Sequence, residues 1–250
     1  MNVLVKSVKN EFYKLIKKKK YLVLLIISIA ICAGRVGIGM LVERISQGMV
    51  NMNKISNLIM QMFPFFAEIL VPLVVFMAVT DLFSNEILDG TMKAVLMRPI
   101  TRFKVMTSKI FAAFSIGILY YMVIFAACVI LELLVSNIKA GYVLQTLGAY
   151  LIDMIPLFIT TLMAVVINLI SKSPTLAMFL SIVVYALMKY CNYFIPALNA
   201  VLFTSYNQWH RLWIGATLPF SALAPKVGVI LGSGIVLYTV GYLLFERKEY

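Results

Sequence analysis

Four ionisable side chains, Arg35, Glu68, Asp153 and Lys189, stand inside long apolar runs of the chain. Two acids and two bases in hydrocarbon could neutralise one another across helices, or could line a polar path through a membrane. A charge there is costly and needs a partner in either case, so packing pairs are favoured and a translocation cavity is the alternative. Nucleophilic chemistry has one opening: Ser233 within Gly232-Ser233-Gly234, with His210, the single histidine, as base. A strip of small residues at a helix contact explains that segment better. One histidine rules out an H-E-x-x-H zinc site, no acidic cluster suggests magnesium-dependent lipid transfer, and His210 reads as an interfacial side chain. Cys32, Cys128 and Cys191 lie in apolar runs without a C-x-x-C pair and behave as small hydrophobes. No catalytic residue and no metal ligand is assigned.

Such residues must be positioned by helices that cross a membrane. The 250 residues are 62% hydrophobic and 13% charged, whereas a soluble domain is about a quarter charged. About 20 apolar residues suffice to cross a bilayer core, and runs of that kind occur at about 21–41, 59–80, 110–135, 143–170, 175–197 and 224–245. The fold class is therefore all-α: one polytopic domain, residues 21–250, with six transmembrane helices. At about 1.5 Å per residue and a core of ~30 Å, Glu68 and Asp153 fall about 14 Å beneath the outer boundary and Arg35 and Lys189 about 9 Å beneath it. All four occupy the outer half.

The net charge of +12 sits in blocks between apolar segments instead of on one polar face, which argues against nucleic acid. Residues 1–20 hold seven Lys and one Glu, and residues 81–109 hold eight further charges. Six spans bring both termini to one side. With that side cytoplasmic, 15 of the 22 Lys and Arg fall inside, the orientation the positive-inside rule selects. Within residues 1–20, Val5, Val8, Phe12, Leu15 and Ile16 recur at steps of three and four while Lys6, Lys9, Lys14 and Lys17 fall elsewhere. That is the pattern of an amphipathic helix lying in the lipid interface; a solvated basic tail is the alternative. A cleaved signal peptide fits less well, because its basic region is short and its apolar core spans about 7–15 residues.

The stretch DLFSNEILDGTMKAVLMRPITRFKVMTSK, residues 81–109, then joins spans two and three on the cytoplasmic side. Leu82, Phe83, Ile87 and Val95 lie near one face of a helix broken at Gly90, and Pro99 ends it. A short helix, a turn at 98–102 and a return at Lys109 would display a surface to a soluble partner. A loop anchored by snorkelling Lys and Arg is the plainer alternative. Glu86, Gly90, Thr91, Leu96, Pro99, Arg102 and Lys109 resemble the pattern of ATP-binding-cassette type-2 permeases: Glu, three residues, Gly-Thr, then Leu, Pro, Arg and Lys. Six spans with both ends inside, the basic amino-terminal helix and the tail LLFERKEY resemble the same family, so the likeness covers essentially the whole chain. The short, Lys-rich build with compact loops is similar to the permeases of bacterial bacitracin and lantibiotic immunity exporters.

The resemblance implies that residues 81–109 are a coupling loop, with Glu86, Gly90, Thr91, Pro99 and Arg102 held in a groove of a separate nucleotide-binding (ABC ATPase) subunit. The chain has no G-x-x-x-x-G-K phosphate loop, so ATP and magnesium are expected on that partner and no cofactor on this chain. A second copy or a homologous permease would complete the substrate path, in the cytoplasmic membrane of a bacterium. The expected cargo is an antimicrobial peptide or an amphipathic, lipid-linked compound. A sodium or other cation exporter of the same family is the nearest alternative, and a passive channel or an intramembrane enzyme lies further off.

Pro64, Pro72, Pro156 and Pro196 lie in or at the ends of spans, where bends are tolerated if neighbours satisfy the freed carbonyls. Between spans five and six, Tyr206, Trp209 and Trp213 form a candidate aromatic belt at the outer interface. In the resembling family a re-entrant or surface helical element follows the fifth span, and this segment could supply it.

Overall fold

The computed structural model describes residues 3–45, 57–97, 100–135, 138–213 and 220–248. Among them there is no strand, and six helices are long and apolar enough to cross a membrane: Lys19–Val42, Leu58–Leu88, Arg102–Val135, Ala140–Ile170, Pro174–Cys191 and Ser221–Arg247. Two of these helices run well past the apolar runs expected to cross the membrane. The helix that carries the third span starts at Arg102, ahead of the apolar run from about 110, because residues 102–109 contain neither Gly nor Pro and simply continue the helix. The second stays helical beyond residue 80, to Leu82 and then through a short turn of helix.

Helix α1 (Val3–Ile16) precedes α2 (Lys19–Ile45), the first span. The second span is α3 (Leu58–Phe65), a π-helical turn (Phe66–Leu70), α4 (Val71–Leu82) and α5 (Ser84–Leu88). After α6 (Thr91–Leu96) come α7 (Arg102–Val135), α8 (Ala140–Ile152) and α9 (Met154–Ile170). Then follow α10 (Pro174–Phe194), 3-10 turns at Pro196–Ala200, Phe203–Tyr206 and Trp209–Leu212, and α11 (Phe220–Arg247).

Helices α4 and α9 form the centre. α4 packs on α7, α9 and α10, and α9 packs on α10 and α11. Only Leu73 and Met77 of α4 escape burial, as expected of a helix that is apolar all round. Close approach is set by Gly117 on α7: a Cβ there would lie 2.8 Å from Leu157 Cδ2 and 3.0 Å from Val75 Cγ2.

Two spans depart from regular helix, each next to a proline. Pro72 has no N–H to offer the carbonyl four residues back, that of Glu68. The ladder widens into the π turn Phe66–Leu70, and the Glu68 carbonyl accepts from the Tyr185 hydroxyl at 2.9 Å instead. The fourth span, expected as one helix, breaks at Asp153, three residues before Pro156.

Helix α1 does not present one uniform face to lipid. Leu15 and Glu11 are buried and Phe12 is half-buried, while Val5 and Ile16 remain exposed, because α1 packs along α7. The inward stripe includes Glu11, which the apolar pattern passed over.

Candidate functional site

The loop that follows α4 is two short helices joined by a reversal at Gly90, whose φ of 68° is left-handed and suits glycine. The Thr91 hydroxyl donates to the Glu86 carbonyl at 3.3 Å, tying α6 back to α5. The Ser84 hydroxyl donates to Asn168 Oδ1 at 2.7 Å, fixing α5 to the fourth span. Leu82 and Phe83 are buried against the bundle. Leu88, Asp89, Gly90, Thr91, Lys93 and Met97 are left facing out, with Leu88 68% and Met97 81% exposed.

Glu86 faces the other way. Its carboxylate lies 2.6 Å from Lys109 Nζ and 3.1 Å from Lys14 Nζ. Glu11 completes the group, 3.0 Å from Lys14 and 3.4 Å from Lys109. Two acids and two bases sum to zero, so the fully buried Lys109 is compensated within the cluster. Burial pulls the Lys14 pKa down, but the neighbouring Glu11 and Glu86 carboxylates outweigh it and hold the ammonium above its ordinary 10.5. Asp81 makes a second knot: Lys20 lies 2.7 Å away, Lys18 3.2 Å, and the Tyr21 hydroxyl and Asn85 amide donate at 2.7 and 2.8 Å. The α1–α2 connection is thereby fastened to the end of α4.

Arg102 turns to the last helix. Its guanidinium donates to the Glu246 carbonyl at 2.6 Å, and Lys248 Nζ donates to the Leu169 carbonyl at 2.7 Å. Both cations thus serve free carbonyls at helix C-termini. Glu86, Gly90, Thr91 and Arg102 are brought to one end of the bundle, together with both terminal helices. Pro99 lies outside the described residues.

The four charges expected inside the membrane do not form one set. Lys189 lies 2.5 Å from Glu68, which also accepts from the Gln208 amide at 2.7 Å. Asp153 is held by His210, whose backbone N–H donates to Oδ1 at 2.6 Å and whose ring Nδ1 lies 2.7 Å from Oδ2. His210 is buried, not interfacial, because the broken fourth span leaves Asp153 needing a partner. Trp209 is likewise buried, whereas Trp213 is exposed, so the expected aromatic belt is only partly at the surface. Arg35 is half-buried on α2 and makes no ion pair among the described residues. Ser233 gives its hydroxyl to the Ile230 carbonyl.

Glu132 was passed over although it lies within an apolar run. It is buried and accepts the backbone N–H groups of Asn57 and Ile59 at 2.8 and 3.2 Å, capping the start of α3. Glu132 carried the same signal as Glu68, a lone acid in a span. Glu11 and Asp81 lay in charged stretches and carried none.

No group of three or more His, Cys, Asp or Glu side chains that could hold a metal ion occurs among the described residues. Comparison with curated proteins finds no match. The family model described as ABC-2 family transporter protein matches residues 7–189, from α1 through both knots of charge to Lys189. With six helices able to cross a membrane, a helical loop tied to both termini and a family match over most of its length, the chain belongs to the ABC-2 transporter family and is a membrane permease subunit of an ABC transporter.

Proposed function

We propose that this chain is the permease of an ATP-driven exporter in a bacterial cytoplasmic membrane, moving an amphipathic compound. The loop end faces the cytoplasm, where the outward strip Leu88, Asp89, Lys93 and Met97 docks on a separate nucleotide-binding subunit that holds ATP and magnesium. A second permease, identical or homologous, completes the path. The observation that carries the reading is the division of labour in the loop: one face is outward and open, and the other is bound by Glu86 to α1 and α7.

A push on α5 and α6 is then transmitted to three elements at once. Glu86 carries it to α1 through Lys14 and to α7 through Lys109, and Ser84 carries it to α9 through Asn168. Packed helices respond by shifting as units, not by deforming continuously. The test is co-purification in mild detergent with ATPases encoded beside the chain, comparing wild type with Leu88→Asp. Capture by wild type and loss in the variant supports the reading. Equal capture by both, or capture by neither, refutes it.

A further inference from the structure

Glu68 is shared by two cavities far from the loop. It precedes Leu82 by about 14 helical residues, roughly 21 Å. The first cavity, about 690 Å³, is lined by Glu68, Ser205, Tyr206, Gln208, Arg211 and Lys226 among others. The second, about 250 Å³, is a slot between the second and fifth spans with Ile69, Leu73, Phe76, Ile182 and Ala186 on its walls.

Charge in the polar cavity is unbalanced. Glu68 is already neutralised by Lys189. Arg211 and Lys226 line the same space and neither is in an ion pair among the described residues; the buried Asp153 held by His210 lies within electrostatic reach of Arg211 and offsets part of its charge, while Lys226 has no such neighbour there. Gln208 Oε1 is buried there without a hydrogen-bond partner. The walls therefore offer the Arg211 and Lys226 cations, next to an apolar slot. A phosphate monoester carries about −1.5 to −2 charges at neutral pH, which matches two cations, and a guanidinium can grip it by two parallel hydrogen bonds.

We propose that the two cavities bind one amphiphile, its phosphate headgroup between Arg211 and Lys226 and its hydrocarbon tail in the slot between the second and fifth spans. This rests on the permease reading and supplies the class of its cargo. Binding to the isolated chain needs no ATPase. A failed titration therefore leaves the coupling loop untouched, and a failed capture leaves this site untouched.

Trp209 and Trp213, the chain's two tryptophans, flank Arg211 and report on it. The purified chain in detergent would be titrated with dihexanoyl phosphatidic acid, dihexanoylglycerol and inorganic phosphate while tryptophan emission is followed. Phosphatidic acid should give a saturable change, dihexanoylglycerol none, and inorganic phosphate a much weaker one. Arg211→Gln with Lys226→Gln should weaken phosphatidic acid at least about tenfold, as loss of charge-assisted hydrogen bonds implies. Ala186→Phe, which fills the slot, should weaken phosphatidic acid and leave inorganic phosphate unchanged. Should the paired variant fail to fold, Arg211→Gln alone, at an exposed position, provides the same comparison. Equal binding of the uncharged lipid, inorganic phosphate as tight as phosphatidic acid, or full affinity in the charge variants would overturn the proposal.

Discussion

Lys109→Met would remove a fully buried ammonium that lies 2.6 Å from Glu86 and 3.4 Å from Glu11. Two carboxylates would then share Lys14, whose side chain is half in solvent. Removing one partner of a buried ion pair costs about 3–5 kcal/mol, and since Lys14 keeps part of the compensation, a value near the lower end, about 3 kcal/mol, is expected. For a chain of this size that is a fall in melting temperature of about 6–12 °C. The paired change Glu86→Gln with Lys109→Met should recover nearly all of it, to within about 1 kcal/mol of wild type, because it removes a balanced pair. Glu11 and Lys14, 3.0 Å apart, then remain as a pair. The assay is size-exclusion of heated aliquots in detergent, with trypsin sensitivity of the Lys-rich α1 as a local readout. A single variant as stable as wild type, or a double variant as damaged as the single, would refute the compensated cluster.

Glu132→Gln should destabilise the chain by about 1 kcal/mol, the usual worth of a helix cap, because an amide offers only one acceptor oxygen to the two N–H groups of Asn57 and Ile59; thermal unfolding checks this. Cys32 and Cys128 have their sulfurs 3.5 Å apart, so oxidation by copper phenanthroline, which takes two electrons as two protons leave, should join α2 to α7 in a disulfide found by peptide mass spectrometry. If the disulfide does not form in folded protein, the packing of α2 on α7 is wrong. Because the Lys14 pKa is raised above 10.5, its contribution is fully present below that value and lost only as the pH rises through the raised one. Protection of α1 from proteolysis should accordingly stay level from about pH 7 to 10 and fall in stronger alkali, and a fall beginning near neutrality would contradict the sign.

Spans were legible because about 20 apolar residues can do little else, and the loop was legible because Gly90 and the charges around it interrupt that pattern. What escaped was the direction in which polar side chains point. Glu86 meets a lysine 72 residues earlier and another 23 residues later, and no local period encodes such a meeting. The same holds for His210, which reads as a surface residue until the break at Asp153 supplies a buried acid. Pro156 hinted at that break and Pro72 at the π turn, but a proline states only that a carbonyl is freed. Which neighbour answers it, such as Tyr185 for Glu68, is decided by tertiary packing.

The most direct measurement places a photo-crosslinking residue at Leu88, on the outward face of α5, and separately at Leu134, equally exposed but about 48 Å along α7 from Arg102. In membranes containing the intact transporter, Leu88 should yield an adduct with the nucleotide-binding subunit and Leu134 none. An adduct at Leu134, or none at Leu88 while the complex remains assembled, would show that the loop between the second and third spans is not where the ATPase pushes.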